Sequence, residues 1–97
     1  MVVIRVAMRA PANGRDALLE VLQREVAASR ASAGCVRFEL FQSIEEPYTF
    51  LLYEEWQDVA AFDAYRSSPE FHERGKAIFP LLDGKPDPAY YLAEPIQ

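Results

Sequence analysis

The stretch from Tyr48 to Leu82, YTFLLYEEWQDVAAFDAYRSSPEFHERGKAIFPLL, constrains the fold more than any other part of the chain. Its apolar period changes twice. Residues 48–56 are apolar on both faces through Leu52, so a strand there needs cover on both sides and a central place in a sheet. Asp58 breaks the run as a helix N-cap, and Phe62 and Tyr65 form the apolar side of the helix that follows. Ser67-Ser68-Pro69 restarts a helix. Ser68 is its N-cap, and Pro69 takes the first helical position, where a missing N–H costs nothing. Phe71, Gly75, Ile78, Phe79 and Leu82 give that helix its buried face. One strand end and two helix starts thus converge, carrying Glu54, Glu55, Trp56, Tyr65 and His72. A small-molecule pocket is expected at this junction.

The rest of the chain supplies what this stretch packs against. Residues 2–9 alternate, with Val2, Ile4, Val6 and Met8 on one face, and read as a strand. A helix follows, with Asn13 as the expected N-cap and Asp16 in its first turn, where the helix dipole favours an anion. Leu18, Val21, Leu22, Glu25, Val26 and Ser29 recur at helical spacing, and the apolar members must lie on a sheet. Ala33-Gly34 is expected to close the helix through a left-handed glycine. Residues 35–44 read as a strand with Val36, Phe38 and Leu40 on one side and Arg37, Glu39 and Phe41 on the other. Glu45-Glu46-Pro47 turns it into the strand of residues 48–56 as an antiparallel hairpin. Gly84, Pro86 and Pro88 interrupt the chain before a last strand at residues 89–93. The order predicts an α+β fold: a ferredoxin-like split βαβ with a four-stranded antiparallel sheet and helices on one face, in one domain over residues 1–97.

Composition excludes several function classes. The chain has 97 residues, 15 acidic against 10 basic, and a net charge of −5. Clustered positive charge, which a phosphate backbone or an anionic membrane surface rewards, is absent. No apolar run approaches a membrane span, and the N-terminal MVVIRVAMRAP lacks the apolar block of a signal peptide, so a cytoplasmic protein is expected. One cysteine, Cys35, and one histidine, His72, leave no disulfide framework and no set of ligands for a protein-bound metal. Cys35 reads as a small buried hydrophobe. No glycine-rich loop offers a nucleotide cofactor a seat, and no cofactor is expected. At 51% hydrophobic, a domain this small has apolar surface to spare for a cavity or an interface.

GCVRFELFQ, followed by FLLYEEW, FDAYRSSPEF and a downstream apolar helix, resembles the antibiotic biosynthesis monooxygenase family. The resemblance covers nearly the whole chain, and its specific part runs from Gly34 to Phe71. It implies a homodimer whose sheets face each other in a dimeric α/β-barrel, and a cavity between each sheet and its helices. It also implies one of several activities: cofactor-independent monooxygenation of quinols or polycyclic aromatics, haem degradation, or isomerisation of a phosphorylated signal molecule. Members often carry His where this chain has Tyr65 and a second His where it has Glu70. The haem degraders have Trp at the position of Tyr65 and a ligating His near Gly75. Glycine cannot ligate iron, so a haem role is not expected.

Four residues are candidates for chemistry. Trp56 shares a strand face with Phe50, Leu52 and Glu54; it is an aromatic wall against a flat substrate, or a core residue closing the strand end. Tyr65 can bond a carbonyl or supply a proton, but its ordinary pKa makes it a poor base, and ring packing is the alternative. His72 titrates near neutrality and could act as a base, though its direction differs from the buried stripe and points to solvent exposure. Glu54 is a carboxylate on an otherwise apolar face. Burial would raise its pKa and make it an acid or base; a salt bridge to Arg5 or Arg37, or exposure at the strand end, is the alternative. Phe38, Phe50, Leu52, Phe62 and Phe71 are the expected substrate-binding wall. The reading they support is a cofactor-independent monooxygenase acting with dioxygen on a quinol or polycyclic phenol. The alternatives are a small-molecule binding protein, an isomerase of the same fold, or an interaction domain whose own side chains fill the cavity.

Overall fold

The structure, a computed structural model, describes residues 1–97. Its elements in order are β1 (Val2–Arg9), α1 (Arg15–Arg30), β2 (Cys35–Gln42), β3 (Thr49–Trp56), α2 (Val59–Arg66), α3 (Pro69–Ile78), a 3-10 turn (Phe79–Leu81) and β4 (Asp87–Leu92). The sheet order is β2-β3-β1-β4, every neighbouring pair antiparallel. The α1 crossover therefore joins the parallel pair β1 and β2 with β3 between them. The α2–α3 crossover joins β3 and β4 with β1 between them. This is the ferredoxin-like arrangement, with β3 in the interior as its two-sided apolarity requires.

Burial follows the strand period. Along β3 the side chains of Phe50, Leu52, Glu54 and Trp56 are all buried, while those between them are half-exposed. Opposite them on β1, Val2, Ile4 and Met8 are buried, with Val6 packed against the same core. Leu18, Leu22 and Val26 of α1 cover this face at helical spacing.

Several local expectations need correction. Asn13 does not cap α1; Gly14 occupies the N-cap and no side chain bonds there. The helix stops at Arg30, capped by Ala31 in right-handed geometry, and Gly34, at φ 81°, instead turns the chain into β2. A bulge between Cys35 and Arg37 shifts the phase of β2. It sends Val36 to solvent and leaves Phe38 buried, so the two do not share a face as simple alternation predicts. Phe79 leaves the buried face of α3, because the chain tightens into the 3-10 turn at that residue; it is 61% exposed. The caps at Asp58 and Ser68 form as expected: Asp58 accepts from the Ala61 N–H at 2.8 Å, and Ser68 from the Phe71 N–H at 3.2 Å.

Candidate active site

Between the helices and the sheet lies a cavity of about 180 Å³, lined mainly by apolar side chains. Ile4, Val6 and Met8 of β1, Phe38 of β2, and Leu52 and Glu54 of β3 form its floor. Phe62 and Tyr65 of α2 and Phe71 and Ile78 of α3 form its roof, and Glu25 reaches it from α1. Exposed Phe79, Pro88 and Tyr90, with half-buried Pro86, edge it and so mark its mouth.

Of the expected site residues, Glu54, Tyr65, Phe38, Leu52, Phe62 and Phe71 line this cavity. Trp56 stands behind it. Its indole is fully buried, stacks against Tyr65 with ring centres 4.4 Å apart, and donates its N–H to Glu54 Oε1 at 2.9 Å. Phe50 and His72 do not line it. Phe50 is buried in the core towards the far end of β3, beneath the Arg15 guanidinium. His72 is exposed beside Phe71, on the side of α3 turned to water, as the helical period of the buried stripe dictates.

The sheet places Glu54 and Trp56 two residues apart on one strand, so both point at the helices. Glu54 is 5% exposed. Neither Arg5 nor Arg37 pairs with it: Arg5 bonds the Tyr91 hydroxyl and Arg37 pairs with Glu39 and Glu55, all on the opposite sheet face. Burial without a cation disfavours the ionised carboxylate, the Trp56 N–H offsets part of that, and nearby Glu25 adds repulsion. The Glu54 carboxyl is pushed up to about 7, so both protonation states are populated near neutrality. A group of that kind both takes and returns a proton at little cost.

The second carboxylate is held differently. Glu25 is buried on α1, and three side chains, one from each helix, meet around it. Its Oε1 accepts from the Tyr65 hydroxyl at 2.6 Å and from Ser29 Oγ at 2.8 Å; its Oε2 accepts from Arg74 Nε at 2.7 Å. Three donors, one of them a guanidinium, satisfy this charge where Glu54 has one indole N–H. Burial, then the bond to Glu25, hold the Tyr65 phenol above its ordinary range, so it stays protonated and is no base. Glu25, Ser29 and Arg74 are absent from the sequence-based candidates. Their one legible trace is that Glu25 and Ser29 fall on the apolar stripe of α1, where a polar residue must find a partner.

Cys35 is half-buried, and burial, with Glu54 nearby, pushes its thiol up. It is no activated nucleophile. Nowhere do three or more His, Cys, Asp or Glu side chains come together as a metal site. No helix is long and apolar enough to cross a membrane.

Known proteins share both the sequence pattern and the fold. YcnE of Bacillus subtilis (strain 168), provisionally named a monooxygenase, is 30% identical over 71 residues, covering 73% of this chain and 75% of YcnE. The crystal structure of PA3566 from Pseudomonas aeruginosa is 30% identical, covers 95% of this chain and 94% of its own, and superposes with a TM-score of 0.78. A Deinococcus radiodurans structure, provisionally named an antibiotic biosynthesis monooxygenase, reaches a TM-score of 0.93 at 21% identity, over 100% of this chain and 96% of its own. At that identity the last likeness speaks for the fold alone. A family model described as antibiotic biosynthesis monooxygenase matches residues 1–75, which takes in the sheet floor, both crossover starts and every candidate from Glu25 to Arg74. The chain therefore belongs to the antibiotic biosynthesis monooxygenase family.

Proposed function

We propose that the protein is a cofactor-independent monooxygenase that oxidises a quinol or related phenol with dioxygen, working as a homodimer. The observation that carries this reading is Glu54: a single-bonded carboxylate, poised near neutrality, in the wall of an otherwise apolar cavity. Glu54 would take a hydroxyl proton from the substrate. The resulting anion is electron-rich and passes one electron to dioxygen, and the superoxide and substrate radical then join in a carbon–oxygen bond. Glu54 returns its proton to the peroxide. The ring carbon gives up its hydrogen as the O–O bond breaks, one oxygen stays on that carbon as a carbonyl, and the other leaves with both hydrogens as water. All electrons come from the substrate.

Cavity size narrows the substrate. An apolar cavity of about 150 Å³ accepts benzene, so about 180 Å³ suits one substituted ring better than a polycycle. A larger substrate would have to extend through the mouth between Phe79 and Pro88. An isomerase acting on a phosphorylated molecule fits less well, because no cation lines the cavity and Arg74, which touches a lining residue, is committed to Glu25.

The test is oxygen uptake by the purified protein with a panel of hydroquinones and with anthrone. Acceleration well above buffer is expected, falling at least about tenfold in Glu54→Gln, which removes the base but not the shape. Uptake no faster than buffer across the panel would sink the reading and leave a ligand-binding role.

A further inference from the structure

Beyond the base, the pocket has a second polar feature, and its hydrogen positions follow from counting donors. Arg74 is always charged and only donates. Bonded to it, buried Glu25 is a carboxylate and only accepts. The Tyr65 hydroxyl has one hydrogen, and the 2.6 Å bond sends it to Glu25 Oε1. Ser29 Oγ lies 2.8 Å from that same oxygen and 2.9 Å from the Tyr65 hydroxyl, closing a triangle. Both Tyr65 and Glu25 line the cavity, so this triangle sits in its wall. The Arg74 guanidinium also reaches the Tyr65 oxygen, and with its own hydrogen committed to Glu25 that oxygen can act towards a ligand only as an acceptor. Glu54 likewise takes its one N–H from Trp56 and keeps Oε2 without a protein partner, an acceptor once the carboxyl is ionised above about pH 7. The other polar side chain at the lining is Tyr90, exposed at the mouth.

We infer that Glu25 is a positioning residue that sets the hydrogen-bond polarity of the pocket: by holding the Tyr65 hydroxyl hydrogen, it leaves a wall of acceptors that selects ligands by the hydroxyl protons they donate. The ligand class is a neutral ring bearing hydroxyl groups. Ethers and carbonyl compounds of the same size bring only further lone pairs, and anions meet two carboxylates with no free cation. In the reaction proposed above, the reduced substrate can donate two hydroxyl protons, and the oxidised product, with one hydroxyl turned to a carbonyl, donates only one and is held less. The inference rests on reading this cavity as a ligand site. It does not rest on the oxygen chemistry.

The experiment is an NMR titration under argon at pH 8.5, where Glu54 is ionised and phenol is still mostly neutral, with phenol, anisole and benzoate, on wild type and Glu25→Gln. Wild type is expected to bind phenol about tenfold or more tightly than anisole, the cost of facing lone pairs without a donor, and to bind benzoate least. In Glu25→Gln the Arg74 guanidinium claims the amide oxygen. The amide NH2 then faces Ser29 and Tyr65, and the Tyr65 hydrogen turns into the cavity. The phenol-to-anisole ratio should fall towards one or invert. A merely structural role for Glu25 would weaken both ligands equally, and that outcome overturns the inference. So does anisole binding as well as phenol in wild type. If Glu25→Gln does not fold, Tyr65→Phe keeps the ring and removes the acceptor. Its ratio should drop several-fold, and an unchanged ratio overturns the inference. Failure of all three ligands to bind wild type overturns both this inference and the pocket's reading as a ligand site. A donor preference without oxygen uptake sustains this inference while sinking the oxygenase.

Discussion

At the residue scale, two buried carboxylates in one cavity have opposite fates, and partner count is the reason. Glu25 collects three donors, one of them a guanidinium; Glu54 collects one indole N–H. That difference in partners separates a structural charge, fixed by its donors, from a working one. The raised carboxyl of Glu54 has a stability consequence with a definite sign. Between its ordinary value of 4.5 and about 7 the folded chain binds a proton that the unfolded chain has already lost. Stability from this group is therefore full below pH 4.5 and falls as pH rises to about 7, by about 3 kcal/mol at most. Glu54→Gln, which carries no such proton, should flatten that fall. Urea midpoints of both proteins at pH 5 and pH 8 check it, and a wild-type minus mutant difference that is equal at the two values would refute it. Glu54 was legible in the sequence, because a charge amid Phe50, Leu52 and Trp56 is anomalous on a strand with period two. Its partner was not. The Trp56 N–H lies two residues along the same face, yet Arg5 and Arg37 were equally plausible until the bulge in β2 and the sheet register set which side each faced.

At the element scale, the start of β2 packs closely against α2. Gly34 has φ 81°, and a Cβ placed there would lie 2.4 Å from the Ala61 Cβ. Its carbonyl also accepts the Gln57 N–H at 2.8 Å, tying the start of β2 to the end of β3. Gly34→Ala is expected to cost roughly 1–2 kcal/mol for the left-handed backbone alone, and more for the clash. Adding Ala61→Gly should recover the clash and leave the backbone cost. Thermal denaturation of the single and double variants separates the two; no recovery at all would show that the contact with Ala61 is unimportant. The caps at Asp58 and Ser68 were readable because capping is local, a side-chain oxygen meeting an N–H three residues on. The ends of α1 were misread for the complementary reason. Asn13 and Gly34 are plausible terminal residues by type, but the chain leaves the helix where packing on the sheet requires, between Gly14 and Ala31.

At the scale of the whole molecule, the sheet face opposite the helices has no cover within the chain. Phe41 is 48% exposed and Tyr91 47%, beside the Arg5–Tyr91 and Tyr53–Glu55 hydrogen bonds. This mixture of aromatic and paired polar groups resembles the core and rim of a protein–protein interface, and it supports the proposed homodimer. Sedimentation at micromolar concentration should give twice the 11.0 kDa chain mass, with a melting temperature that rises with concentration. Phe41→Asp should shift the protein to monomer and lower that temperature. Monomeric wild type at these concentrations would contradict the dimer and leave the open face unexplained.

The order of strands and helices, the central place of β3, the caps of α2 and α3 and the apolar character of the pocket all followed from the chain read alone. Each depends on period and near neighbours, which sequence records directly. Only the folded chain decided that Glu25, Ser29, Tyr65 and Arg74 meet, that His72 looks outward, and that Phe79 stands at a mouth. Glu25 and Arg74 are 49 residues apart and bond at 2.7 Å, a pairing set by how two crossovers stack on one sheet. Local patterns state which side chains must be buried; three-dimensional packing chooses whom each one meets there.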